Sequence, residues 1–326
     1  MILALETSCD DTCAALVGRD GTIAANVISS QEVHARFGGV VPEVAARQHS
    51  ELIDAVIDEA FARAGASLDD VTMVAATRGP GLVGALLVGW NVAKGIAAAR
   101  ELPFAGVDHL EGHIAAVYLA PARFEPPFVA LIASGGHTLL ALVRERGGEP
   151  EVLARTLDDA AGEAFDKGAR LLGLGYPGGA ALSALARAGD PRAHDFPTGR
   201  GEQFSFAGLK TALLYRAREL DVTDERVRAD LAASYERAIV EALARRTERA
   251  LEHTGVDRLA VGGGVAANGP LRARLAALGA DVCAPPPELC TDNAAMIAAA
   301  ALEQAPLPYP DYLGLDVYAT GEGPLR

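Results

Sequence analysis

Apolar and polar positions alternate with strand period at the start of the chain. Residues 2–28 read as an apolar strand, an acidic turn at Asp10-Asp11, a second strand, an Arg19-Asp20-Gly21 hairpin turn and a third strand. The period becomes helical from Gln48 to Ala64, gives way to a short β-branched run from Val71 to Thr77, and then to a small-residue helix from Gly84 to Arg100 that stops before Leu102-Pro103. Val107 to Leu119 also reads as a helix. After the proline-rich connector Pro121 to Pro127 the order restarts, with a buried-type strand from Phe128 to Ser134, a Gly135-Gly136 turn and a returning strand from Thr138 to Arg144. Helical sequence follows from Asp158 to Leu172 and, with interruptions, from Ala207 to His253. A strand from Arg258 to Val261, a glycine-rich turn and a helix from Pro270 to Leu278 close the pattern. Strand, tight polar turn, strand in both halves predicts two related α/β lobes around a cleft.

Composition narrows the class. A chain of 326 residues, half of them hydrophobic, is long enough for a large core and favours two domains over one. Its net charge of −14 and pI near 5.0 give no overall attraction to nucleic acid. The N-terminus runs straight into strand pattern without a charged leader, and no apolar run is long enough to span a bilayer, so no membrane partner and a cytoplasmic location are expected. Cys9 with Cys13 and Cys283 with Cys290 lack the two-residue gap of zinc or redox motifs and read as free thiols.

Several stretches can carry chemistry. His109 and His113 stand one helical turn apart, so both rings can reach one metal ion, although such pairs also occur on solvated helix faces. A zincin would place its glutamate directly after the first histidine; Glu111 is two residues on and projects from the other side. A third ligand must come from elsewhere. Asp292, in Thr291-Asp292-Asn293-Ala294, offers a carboxylate at the start of a helix, where capping is its ordinary role. Gly262-Gly263-Gly264 through Asn268, between a strand and a helix, suits an adenosine or a phosphate. Gly79-Pro80-Gly81-Leu82-Val83-Gly84 formally matches a dinucleotide fingerprint, but a tight strand-to-helix turn explains its glycines, and no P-loop is present. Ser134-Gly135-Gly136-His137-Thr138 can expose backbone amides and a hydroxyl to a phosphate, or be an ordinary hairpin. Taken alone, Asp166 reads as a helix partner of Lys167 or Arg170, and Asn268 as a turn residue. The general base is least defined; Asp10 and Asp11 are the candidates, against the ordinary occurrence of aspartate in hairpin turns.

Together the motifs resemble a family. Leu5-Glu6-Thr7-Ser8-Cys9-Asp10-Asp11, Arg78 to Leu82, Asp108 to His113, Ser134 to Thr138, Gly162 to Lys167, Tyr176 to Gly179, Phe204 to Lys210, Gly263 to Asn268 and Thr291 to Ala294 are similar, nearly end to end, to the bacterial TsaD family of tRNA adenosine threonylcarbamoyltransferases, related to the Kae/Qri group. The resemblance implies an α/β, two-lobed actin-like ATPase (ASKHA, RNase H-like) fold. The first lobe would span residues 1–123, completed by a C-terminal segment from about 295 to 326 whose part after Leu302 is short for the family, and the second 124–294. It also implies that His109, His113 and Asp292 hold one divalent metal ion, iron or alternatively zinc, and that Ile132, Ala133, Ser134, Gly135, Gly136, Asp166, Gly179 and Asn268 contact substrate.

The implied reaction moves a threonylcarbamoyl group from threonylcarbamoyladenylate to N6 of adenosine 37 in tRNAs reading codons that begin with A, releasing AMP. For an acidic protein, binding tRNA requires local basic patches, such as Arg245-Arg246 or Arg272-Arg274, or partner proteins. The resemblance implies a paralogous actin-like subunit (TsaB-like) and a small ATPase (TsaE-like). As rivals, a small-molecule kinase of the same superfamily would give the paired histidines no role, a metallopeptidase would need a base beside the metal, and a non-catalytic scaffold should lack the metal ligands.

Overall fold

Strands β1 (Ile2–Glu6), β2 (Asp11–Val17), β3 (Ile23–Ser30), β4 (Met73–Gly79) and β5 (Phe104–Asp108) form one sheet in the order β3-β2-β1-β4-β5. The computed structural model describes residues 1–199, 201–319 and 325. Within this sheet the two hairpin pairings are antiparallel, and β1 to β4 and β4 to β5 are parallel. Strand alternation sends Leu3 and Leu5 to one face, where they join Leu16, Val27 and Val74 beneath α1 (Pro42–Ala64) and α2 (Val83–Ala99), with Ile53, Ile57 and Trp90 from the helices. Glu6 therefore falls on the opposite face.

The chain divides into two compact units, Met1–Glu125 with Glu145–Gly148 and Glu288–Arg326, and Pro126–Arg144 with Glu149–Pro287. Residues 288–294 thus go with the first unit, whereas the expected lobe boundary placed them in the second. Residues 320–324 and 326, at the end of the expected C-terminal segment, lie outside the described residues. In the first unit α3 (His109–Ala115) follows β5 directly.

The second unit repeats the strand order. β6 (Phe128–Ala133), β7 (Thr138–Val143) and β8 (Glu151–Arg155) are antiparallel neighbours, while β9 (Arg258–Gly262) and β10 (Asp281–Cys283) add parallel strands, giving β10-β9-β6-β7-β8. β6 and β7 are buried at every position, which is why their sequences read as continuous apolar runs. The helices of this unit are α4 (Ala161–Leu171), α5 (Gly179–Ala186), α6 (Ala207–Glu219), α7 (Glu225–Thr254) and α8 (Gly269–Ala276). The short α9 (Pro287–Cys290) leads back to the first unit, where α10 (Ala294–Leu302) packs on β1 and β2 and against α3. Its run of alanines permits this close approach, and nearly every α10 residue is buried.

Boundaries differ from expectation at three places. The helix expected from Val107 starts at His109, because Val107 and Asp108 belong to β5 and the Asp108 carboxylate caps the helix, accepting from Leu110 N at 2.8 Å and Glu111 N at 3.3 Å. α1 starts at Pro42 rather than Gln48, with proline in the first turn, where its missing N–H costs nothing. The helix after Thr291 is capped by Asn293, not Asp292: the Asn293 amide oxygen accepts from Met296 N at 2.9 Å.

Candidate metal centre and nucleotide-binding elements

With Asn293 doing the capping, the Asp292 carboxylate is free of that task and lies beside α3. Asp292 Oδ1 is 3.5 Å from His109 Nε2 and 3.3 Å from His113 Nε2. One ligand atom from each of the three residues falls within 4.8 Å of the others. The two rings are buried, with centroids 4.7 Å apart and planes at 80°. The helical spacing of His109 and His113 thus becomes a convergent donor set inside the first unit.

The surroundings separate the two imidazoles. His109 Nδ1 is 2.9 Å from Glu6 Oε2 and 3.2 Å from Ser8 Oγ, which leaves Nε2 facing Asp292. Glu6 is itself held by the Thr77 hydroxyl, at 2.6 Å, and by Ser8 N. Burial alone would raise the Glu6 pKa, but the His109 imidazole holds its carboxyl below the usual range. Burial pushes His109 down, yet the Asp292 and Glu6 carboxylates outweigh it and hold the ring up at about 9. His113 is driven down by burial.

A divalent cation fits this set. Among the described residues His113 Nδ1 meets no hydrogen-bond partner, and Nε2 faces the Asp292 carboxylate at 3.3 Å without hydrogen-bond geometry. A buried polar nitrogen without hydrogen-bond geometry costs about 1–3 kcal/mol, and coordination at Nε2 would remove that cost there. Two imidazoles and one carboxylate form a mixed nitrogen and oxygen donor set suited to iron or zinc. A carboxylate behind the first histidine is the usual way such a ligand is oriented. Glu6 escaped the sequence reading of the site, although a carboxylate closing the apolar strand Ile2-Leu3-Ala4-Leu5 was a visible signal. Glu111, by contrast, accepts from Gln304 Nε2 at 3.0 Å.

The acidic turn precedes β2 in the same unit. Asp10 lies in the turn and its carbonyl accepts from Gln31 N at 3.1 Å, while Asp11 is the first residue of β2. Burial pushes the Asp11 carboxyl up to about 7, against a lowering hydrogen bond from Ser30. The Gly79 turn nearby is steric, as its sequence allowed. Gly79 has φ +155, and a Cβ there would strike the Tyr318 ring and carbonyl.

The second unit carries the remaining candidates. β6 pairs with β9 in parallel with Ile132 opposite Gly262, so the Ser134–His137 turn and the Gly263–Asn268 turn leave the same end of the sheet. Ile132 and Ala133 are buried strand residues, whereas Gly135 and Gly136 are exposed, with open space where a side chain would stand. Among the described residues nothing accepts from the Gly135 and Gly136 amides, while Ser134 Oγ accepts from His137 N at 3.1 Å. Gly263, at φ +86, sits against the Ala133 backbone so closely that any side chain would clash.

Asp166 on α4 holds the start of α5, its carboxylate accepting from Gly178 N at 2.7 Å and Gly179 N at 3.2 Å. Lys167, one of its expected helix partners, pairs instead with Asp159 and Glu163. Asn268 caps α8 through Leu271 N at 2.8 Å and turns its amide donor to Glu236 Oε1 at 2.7 Å and Ser183 Oγ at 3.1 Å. Ser183 donates to the same Glu236 oxygen at 2.6 Å. The sequence reading missed Ser183 and Glu236; a buried glutamate on the apolar stripe of α7, in line with Ala232, Ile239 and Leu243, was the available signal.

The expected basic patches are largely spent internally. Arg246 donates to the carbonyls of Gln203, Thr198 and Ala242. Arg272 donates to those of Ala266 and Pro285, and Arg274 pairs with Glu241 and Glu248. Among the described residues no disulfide joins the four cysteines. Among the described residues no helix is long and apolar enough to cross a membrane.

The fold and the sequence are both similar to those of known proteins. The component A of (R)-2-hydroxyglutaryl-CoA dehydratase from Acidaminococcus fermentans superposes with a TM-score of 0.56 at 16% identity, over 92% of this chain and 96% of that one. A ROK family glucokinase from Streptomyces griseus does so with a TM-score of 0.51 at 15% identity, over 93% and 98%. The fold is therefore the actin-like α/β fold. In sequence, a tRNA N6-adenosine threonylcarbamoyltransferase from Pelobacter propionicus is 50% identical over 331 aligned positions, covering 98% of this chain and 96% of the relative. The family model of TsaD, tRNA N6-adenosine threonylcarbamoyltransferase, matches residues 22–299, and the chain belongs to that family.

Proposed function

We propose that the protein transfers the threonylcarbamoyl group of threonylcarbamoyladenylate to N6 of adenosine 37 in tRNAs reading codons that begin with A, giving the modified tRNA and AMP. The C–N bond to N6 forms as the bond from the carbamoyl carbonyl to the phosphate oxygen breaks, and the amine loses a proton. His109, His113 and Asp292 would hold one divalent ion, iron in our reading, with Glu6 orienting His109. That ion would supply Lewis-acid polarisation of the carbamoyl carbonyl.

The chain's own groups take the other tasks. Free amides at Gly135 and Gly136, on a turn framed by Ile132, Ala133 and Ser134, hold the phosphate that departs with AMP. Asp166, Gly179 and Asn268 hold the nucleoside. Asp11 accepts the amine proton: a carboxylate titrating at about 7 is matched to that role near neutral pH, and Asp10 shares its turn. A paralogous actin-like subunit and a small ATPase complete the working complex and supply tRNA-binding surface that a chain of net charge −14 lacks. The reaction runs in the cytoplasm, in keeping with cysteines that form no disulfide among the described residues.

The observation that carries this reading is the convergence of the buried His109 and His113 rings on the Asp292 carboxylate, in a chain of this family. A non-catalytic scaffold has no use for such a ligand set, and a kinase none for the histidines. The test is incorporation of labelled threonine into unmodified tRNA from purified threonylcarbamoyladenylate, with wild type and a His109→Ala/His113→Ala variant. Label at adenosine 37 with wild type alone, together with bound metal in wild type alone, supports the proposal; equal labelling by the variant removes the metal site from the reaction.

A further inference from the structure

The imidazole of His49, on α1, is fully buried and touches the acidic turn on both sides. Its Nε2 lies 3.0 Å from the carbonyl oxygen of Cys9, just before Asp10, and its Nδ1 lies 2.8 Å from Thr12 Oγ1, just after Asp11. One tautomer satisfies both contacts, with Nε2–H donating and Nδ1 accepting from the threonine hydroxyl. Gln31 Nε2 approaches the same Nδ1 at 3.3 Å and also donates to Ala45 O, while the Gln31 backbone amide donates to Asp10 O. His34 completes the chain: its Nε2 donates to Gln31 Oε1 at 2.9 Å, and its Nδ1 accepts from Val41 N at 3.3 Å.

Thr12, Gln31, His34 and His49 are all buried, with the single acceptor His49 Nδ1 facing both the Thr12 hydroxyl and Gln31 Nε2. An apolar residue would fill the same volume without tying anything down. The contacts of His49 instead bracket Asp10 and Asp11, and Gln31 N takes the one carbonyl between them. We propose that His49 is a positioning residue for the transfer, fixing the Asp10-Asp11 turn through Cys9 O and Thr12 Oγ1, with Gln31 and His34 setting its tautomer. The inference rests on the reading that this turn serves the reaction. A displacement of about 1 Å at a reacting group costs on the order of a hundredfold in rate, which is the scale of effect available to such a strut.

Protonation of His49 at Nδ1 would remove the acceptor that Gln31 Nε2 approaches and reverse the Thr12 contact, the ring then donating to Oγ1. The charged or titratable groups acting on the ring are Glu6, Asp10 and His34. Rate should accordingly fall on the acid side in wild type by a route that His49 variants lack.

The experiment measures kcat, KM for threonylcarbamoyladenylate and for tRNA, metal content and melting temperature in the complete transfer assay with the full chain. His49→Phe should lower kcat by about ten- to a hundredfold with both KM values and metal content unchanged. His49→Gln, whose amide can still donate to Cys9 O, should recover most of that loss and flatten the acid limb of the kcat profile. Thr12→Val, nearly isosteric, removes one contact and keeps the test open if His49→Phe does not fold; it should lower kcat by about severalfold with KM unchanged. A folded, metal-loaded His49→Phe at wild-type kcat overturns the proposal, as does a loss confined to KM or to metal content. Asp10→Asn and Asp11→Asn run alongside: full activity in both defeats the reading of the turn itself, whereas an inactive aspartate variant beside a fully active His49→Phe defeats only the strut.

Discussion

Glu6 and His109 make the most consequential pairing at the residue scale. A buried carboxylate that fixes one nitrogen of an imidazole aims the other, and removing its charge lowers the ligand's basicity. Glu6→Gln keeps the shape and loses the charge, so metal affinity should fall by about 10–100-fold in a chelator competition while the melting temperature of the metal-free protein changes little. His49 makes a different statement, about acid. Burial lowers its pKa below the ordinary imidazole value, so the folded state resists the proton that the unfolded chain accepts. Its contribution to stability is therefore complete above about pH 6.5 and is lost as pH falls from there through the lowered folded-state value. Melting temperature measured from pH 7.5 down to 5.5 should drop more steeply in wild type than in His49→Gln; parallel slopes would show that His49 does not govern the acid limb. These residues show where sequence stops being legible. The spacing of His109 and His113 displays a candidate metal site because both histidines sit on one helix, but Glu6 and His49 act across 103 and 40 positions of chain, and nothing local marks such a contact.

Elements decide which residues become available. Asn293 and Asp292 are neighbours, both able to cap, and the sequence alone favoured the aspartate for that role. The structure assigns it to Asn293, fully buried with its amide on Met296 N and Thr291 O. Replacing the cap and replacing the ligand should then have opposite signatures. Asn293→Ala should cost about 1 kcal/mol of stability in denaturant titration. Asp292→Asn should abolish metal retention at nearly unchanged stability of the metal-free protein; a large stability loss in Asp292→Asn would mean that the carboxylate caps after all. The strands were the most legible part, since β6 and β7 are apolar along their whole length and β1 to β3 alternate between tight turns. α5 was invisible because its eight residues, Gly-Ala-Ala-Leu-Ser-Ala-Leu-Ala, have no polar face to set a period, and the helix is held by Asp166 capping from a distance.

The whole molecule is built from one strand plan used twice, but the two units differ in how the chain supplies them. The second is nearly continuous, from Pro126 to Pro287 apart from four residues, while the first needs α10, which returns after the second unit is finished. Expressed alone, residues 126–287 should fold cooperatively, with a single thermal transition by circular dichroism. Residues 1–125 alone should not, because one face of their sheet loses its alanine-rich cover and His113 loses Asp292. A cooperative melt for 1–125 would contradict the role given to α10. The same feature orders events at the ribosome. Both histidines emerge early and the aspartate only after the whole second unit, so a chain that is stalled or clipped before residue 288 cannot close its first sheet or complete its ligand set. If the proposed site holds its ion, retention of that ion would report that synthesis had reached the helix that covers the first sheet.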